Sequence, residues 1–214
     1  MKNILSILFL SFLLLFLSGC LTTLYPIFRE EDAVTNDNLV GYWKCLNKKN
    51  EVTGFLDIKK IPDNRKPELA ESIRTIASKG YLIGLLNSAG EMDGLYFVFL
   101  VKIGKNEYFD FYPAETEAQK KVNNDYKSHF MKFHTSYKCE VKDNNHFEMK
   151  LFDKDFLEQL ISKQQIHLRY EKREEGEKII TATTEELQKF ISQYGDSPKA
   201  YTAEVKYCVR MVAL

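Results

Sequence analysis

Leu95 to Pro113 reads LYFVFLVKIGKNEYFDFYP. Its first nine residues are apolar except for Lys102, the pattern of a strand buried on both faces, or of one whose outer face a helix covers. Gly104-Lys105-Asn106 makes a tight return, EYFDFYP runs back, and Pro113 stops it, so the stretch predicts a β-hairpin. Downstream, Phe130 to Val141 alternates. Met131, Phe133, Thr135, Tyr137, Cys139 and Val141 fall on one side, predicted as core. Lys132, His134, Ser136, Lys138 and Glu140 fall on the other, predicted to face water. Asp143-Asn144-Asn145 then turns the chain into HFEMKLF, a second hairpin. Asp110, flanked by Phe109 and Phe111, is expected on the wet side of its strand by the same rule.

Upstream, Leu39–Asn47, Thr53–Lys60 and Tyr81–Asn87 read as strands, and Ala203–Met211 as a final one. Pro67–Lys79 reads as a helix with Leu69, Ile73 and Ile76 on one stripe. Asp153 caps a helix over Lys154–Ser162. Thr183 and Glu186 form a capping box, followed by the stripe Leu187, Phe190, Ile191 and Tyr194, and Gly195 ends that helix. Short strands are expected at Ile166–Tyr170 and Lys178–Ala182, and a loop or loose helix at Ala114–Asp125. Many strands with turns between them predict a mainly β protein, with an antiparallel sheet rolled into a barrel or stacked as a sandwich and two or three short helices.

The N-terminus has a different character. Lys2 precedes the apolar run Ile4–Leu17, which is too short for the ~20 residues of a spanning helix and suits a signal-peptide core. The run closes on Leu17-Ser18-Gly19-Cys20, which resembles the lipobox of bacterial membrane lipoproteins. That resemblance implies cleavage between Gly19 and Cys20, a diacylglyceryl thioether on the Cys20 thiol, and acylation of its new amine. The partner it implies is a membrane, reached through lipid on Cys20, with the rest of the chain outside the cytoplasm at the cell membrane or outer membrane. Two or more acyl chains make such anchoring stable. Residues 1–19 are then a signal peptide, 20–38 a lipidated tether and 39–214 a single domain.

The chain carries 30 basic and 30 acidic residues, a balance that argues against nucleic acid as a partner. Of four cysteines, Cys20 is assigned to lipid. The other three, an odd number in an exported chain, allow at most one intramolecular disulfide; alternation points Cys45 and Cys139 inward and Cys208 outward, and three free cysteines, two of them buried, are favoured over a redox role. The four histidines, His129, His134, His146 and His167, show no metal-ligand spacing. No nucleophile motif occurs. Neither a metal, a cofactor nor a catalytic residue is assigned.

Two features of the mature chain resemble the lipocalin or calycin family. Gly41-Tyr42-Trp43 opens the first long strand like that family's G-x-W, which implies a tryptophan packed across the closed end of a barrel. The order strand, helix Thr184–Tyr194, final strand is similar to a lipocalin C-terminus. The helices at Pro67–Lys79 and Lys154–Ser162 depart from a plain lipocalin and leave its strand order open. A longer stretch, Tyr96 to Tyr194, is similar in motif order to a family of uncharacterised bacterial proteins. The fold expected is therefore a lipocalin-like antiparallel barrel. Trp43, Phe97, Phe99, Phe109, Phe111, Phe133 and Tyr137 are candidate lining for an apolar pocket, with a filled core as the alternative. Two functions follow: a non-catalytic lipid-anchored barrel that binds an apolar small molecule, a lipid or another envelope protein, or a structural surface lipoprotein with no small ligand.

Overall fold

The computed structural model describes residues 21–123, 129–173 and 178–211. Residues 1–19, read as a signal peptide, and Cys20 lie outside these residues. In chain order the strands begin with two short ones, β1 (Thr22–Thr23) and β2 (Ala33–Val34). Then come β3 (Gly41–Leu46), β4 (Val52–Lys60), β5 (Tyr81–Leu86), β6 (Met92–Ile103), β7 (Asn106–Pro113), β8 (His134–Asp143) and β9 (His146–Phe152). Single helical turns α1 (Glu71–Arg74) and α2 (Glu117–Lys120) interrupt this series. The chain finishes with α3 (Lys154–Ser162), β10 (Tyr170–Lys172), β11 (Lys178–Ile180), α4 (Thr184–Tyr194) and β12 (Tyr201–Arg210).

β3 to β9 pair with their sequence neighbours, all antiparallel. β12 then lies between β9 and β3 and closes an eight-stranded barrel. The strand order left open by the sequence is thus the simplest one, up and down around the barrel. Closure removes the free edges that an open sheet would expose.

Two hairpins at one end use the same turn chemistry. Asn47 Oδ1 accepts from the amides of Lys49 and Glu51, and Asn87 Oδ1 accepts from those of Ala89 and Glu91. In each, the fourth residue has a positive φ, 61° at Asn50 and 82° at Gly90. Each is followed by a register break, Cys45/Leu46 against β4 and Leu85/Leu86 against β6. The segments NKKNEVTG and NSAGEMDG share asparagine, glutamate and glycine at equal spacing. The shared spacing is that of a turn built on the asparagine side chain.

Two hydrophobic clusters result. One fills the barrel: Trp43, Leu56, Ile58, Ile83, Val98, Leu100, Phe109, Phe111, Phe147 and Met149 among others. The second lies outside the barrel wall, where Phe97, Phe99, Val101 and Tyr108 are covered by an N-terminal strap, by α3 and α4, and by the 61–80 connection. β6 is therefore buried on both faces, as its apolar run predicts. The Pro67–Lys79 helix is replaced by a 3-10 turn over Asp63–Glu68, α1, and a second 3-10 turn at Ala77–Lys79. Leu69, Ile73 and Ile76 are still buried. α3 and α4 match their expected bounds, and Thr183 and Glu186 make the reciprocal cap bonds.

The stretch read as a tether is packed onto the barrel. β1 pairs with β8 where β9 ends, and β2 pairs with β6 where β5 ends, so each patches an edge its neighbour leaves bare. Leu21, Thr23, Ile27, Phe28 and Ala33 are buried between. These apolar residues follow no helical or strand period, which is why the sequence shows no element there. The strand read from Phe130 begins at His134 instead, and Met131, placed in the core by alternation, is 65 % exposed.

Candidate functional site: the barrel ends and the strap

One end of the barrel is sealed. The Trp43 indole is buried, donates from Nε1 to the Leu39 carbonyl at 2.8 Å, and meets Phe147 edge-on with centroids 4.7 Å apart. The Arg210 guanidinium lies 4.3 Å above the Trp43 ring. It donates from Nη1 to Val40 O at 2.9 Å, from Nε to Asn144 O at 2.8 Å, and from Nη2 to Asn38 O. One cation thus ties the last strand to the 3-10 turn at Asp37–Leu39 and to the β8–β9 turn. Gly41 has φ 143°, and a Cβ there would collide with Arg210 Nη1, so the glycine of Gly-Tyr-Trp is demanded by this seal.

Replacing Arg210 with alanine removes charge-assisted bonds to three carbonyls and is expected to cost about 2–3 kcal/mol. Trp43 is the chain's single tryptophan, so its emission reports the result directly. The expected outcome is a red shift as water reaches the indole, and an unchanged spectrum and melting point would show that Arg210 seals nothing.

The candidate lining residues divide. Trp43, Phe109 and Phe111 belong to the barrel interior, and Tyr137 packs partly buried against them. Their rings interlock: Phe109 and Phe147 at 5.9 Å, Phe109 and Phe111 at 6.1 Å, Phe111 and Tyr137 at 5.3 Å. Phe97 and Phe99 point the other way, into the outer cluster, so they do not line the interior. Phe133 precedes β8 and is half-buried. At the end away from Trp43, inward-facing Leu85, Tyr96 and Tyr137 are only partly buried. Tyr96, not singled out from the sequence, stands edge-on to Phe111 at 5.8 Å.

Cys208 is 1 % exposed and disulfide-bonded to Cys45, its direct partner across β12 and β3. This corrects the expectation of an outward Cys208, and of the alternatives left open, one intramolecular disulfide holds instead of three free thiols. The apolar set Val205, Tyr207 and Val209 is on the outer face, where each is half-buried. Hydrophobicity therefore pointed to the wrong side of this strand. Cys139 is the free cysteine among the described residues, and it is buried. Burial pushes its thiol pKa well up, with Glu107 and Glu140 adding to the effect. Such a thiol is a poor nucleophile.

Asp110 also departs from expectation. It is fully buried, because the strap covers the outer face of β7. Its Oδ2 accepts from the Ile27 amide at 3.1 Å and from Ser136 Oγ at 3.4 Å, while Oδ1 shares a 2.5 Å hydrogen bond with His134 Nδ1. His134 and Ser136, predicted to face water, are buried with it, and the Tyr112 ring lies 4.8 Å from the imidazole. Serine, histidine and aspartate meet here, but not in the order of a catalytic triad. A triad needs the histidine between the other two, so that it can take the serine proton. Here the aspartate is central and both partners bond to it. What the cluster does is clip the strap to the barrel: Asp110 gives the Ile27 amide an acceptor that no strand supplies. Among the described residues no group of histidine, cysteine and carboxylate side chains is placed to hold a metal. No helix among them is long and apolar enough to cross a membrane. No family model, curated protein or solved structure matches the chain.

Proposed function

We propose that this chain is an exported lipoprotein, acylated at Cys20 and held on the cell membrane or outer membrane, whose non-catalytic barrel works outside the cytoplasm as a rigid interaction body. The observation that carries the reading is the Cys45–Cys208 bridge. Disulfides persist in oxidising compartments and are rare in the cytosol, which agrees with what the lipobox implies. The packed strap adds a geometric consequence. Leu21, which follows Cys20 in the chain, is buried, so on this reading the ordered body starts directly after the acylated residue. The barrel then rides against the lipid surface instead of hanging from a tether.

The interlocked rings in the sealed half favour a body without a small ligand there. A second reading keeps an apolar molecule or lipid at the opposite end, and the partly buried Leu85, Tyr96 and Tyr137 favour it. Both readings share one test of anchoring. Cys20→Ala is expected to abolish acyl labelling and to move the protein from the membrane pellet to the soluble fraction or to uncut precursor. Full labelling of the variant would refute the anchor. Native mass spectrometry of protein from its own host separates the two readings: a retained apolar adduct supports the second, and bare protein the first.

A further inference from the structure

The strap, α3 and α4 cover one side of the barrel wall, but the wall over β3, β4 and the ends of β5 and β12 has no such layer among the described residues. An antiparallel sheet face left to water is normally polar. This one is not. Tyr207 of β12 stands opposite Leu46 of β3, Phe55 of β4 opposite Leu86 of β5, and Leu86 opposite Met92 of β6. Met92 lies across the outer face of Gly84, where its Cε would meet a Cβ at 3.3 Å. Tyr42 stacks on Phe55 with ring centroids 5.9 Å apart. Tyr42 is 37 % and Met92 58 % exposed, the other four are half-buried, and none of these residues belongs to either hydrophobic cluster. A continuous apolar patch of this kind marks an interaction surface.

The bilayer that the proposed anchor enters is not what covers this patch. Leu21, the first residue after Cys20, adjoins β8 through the Thr22–Thr135 pair. β8 stands four strands from β4 by either route round the barrel, so patch and anchored end lie on opposite sides.

The charges inside the patch point to its partner. Tyr42 pairs directly with Asp57, and Lys44 with Phe55. These outward side chains form a square, with the stacked rings on one diagonal and Lys44 and Asp57 on the other. A two-fold axis laid along the ring diagonal puts Lys44 of each copy over Asp57 of the other, and rings over rings. Isologous contacts have this form: residue i meets j, and j meets i. The strands of the two walls then cross near a right angle, one of the two ways in which sheets pack. Lys59 bonds Asp57 Oδ2 at 2.5 Å, but Lys59 is 65 % exposed. Exposed pairs are worth little, so Asp57 stays open to a second cation.

We propose that this face is covered by a second copy of the chain, in a homodimer whose two-fold axis forms the Lys44–Asp57 pair twice. The dimer does not require acylation, which enters only in ruling out the bilayer as the cover. The two copies of Leu21 fall at equal height along a two-fold axis, so one membrane can hold both. The test places the photo-crosslinker p-benzoylphenylalanine at Met92 of the full chain, expressed in its own host. Irradiation is expected to give a product of two copies, identified by mass spectrometry as this chain joined to itself, while the same label at Tyr170 on β10 gives none. Lys44→Asp and Asp57→Lys each set like charges against one another twice and should lower the yield about tenfold. The double variant exchanges the two charges and should restore it, a recovery that a folding defect would not allow. Cys20→Ala should leave the product in place, so failure of the anchor and failure of the dimer are read separately. No product, or a product only with lipid or only with a different protein, overturns the proposal. A self product that the single reversals leave unmoved, or that the double variant does not restore, overturns the two-fold pairing on which it rests.

Discussion

Replacing Cys208 with alanine is expected to lower the melting temperature by about 4–20 °C. The bridge joins residues 163 apart in sequence. Closing a loop of that length removes about 5 kcal/mol worth of freedom from the unfolded chain, and measured losses run about 2–5 kcal/mol. For a domain of this size each kcal/mol moves the midpoint by about 2–4 °C. The position matters as much as the length. β12 is the last strand and β3 the first of the barrel, so this bond locks the seam where the two ends of the sheet meet. Calorimetry with and without reductant should show the wild-type protein falling towards the variant on reduction. Cys139→Ala, which breaks no bond, should leave that reductant-dependent drop in place. Three thiols reacting with maleimide in denatured, unreduced mature protein, once the lipidated cysteine is discounted, would show that the bridge is absent.

The second large effect is expected at Asp110. Truncating it to alanine leaves the Ile27 amide, the Ser136 hydroxyl and His134 Nδ1 without their shared acceptor in a buried place. Breaking one partner of such a buried network costs about 3–5 kcal/mol. The loss should be local before it is global, because Asp110 is the polar clip between strap and barrel. Hydrogen exchange at the Ile27 amide should accelerate well beyond that of the β6–β7 ladder. Protease should cut within residues 21–32 while the barrel persists. Asp110→Asn keeps one carbonyl oxygen for Ile27 and should lose less. Exchange at Ile27 that stays in step with the barrel core in the alanine variant would show that apolar packing of Ile27 and Phe28 holds the strap unaided. Other contacts share the task at the strap's far end: the Asn36 amide donates to the Tyr81 hydroxyl at 2.7 Å, and that hydroxyl donates back to the Asn36 carbonyl at 3.0 Å.

The sequence by itself determined the local elements. Short-range rules are enough for the β6–β7 hairpin, the capped helices α3 and α4, and the strand-rich class, since each is decided by residues within a few positions of one another. Tertiary structure alone decided which face of a strand is wet. Alternation divides β7 and β8 into two faces, but it cannot say that a strap and a helical layer lie outside the barrel and bury the second one. Asp110, His134 and Ser136 were misplaced for that reason, and Phe97 and Phe99 were assigned to the wrong cluster. Barrel closure set the cysteine pairing in the same way. Cys45 and Cys208 meet only because eight strands come full circle, and the position of the last strand beside the first depends on the summed twist and register of all the strands between them, which no local pattern of residues records.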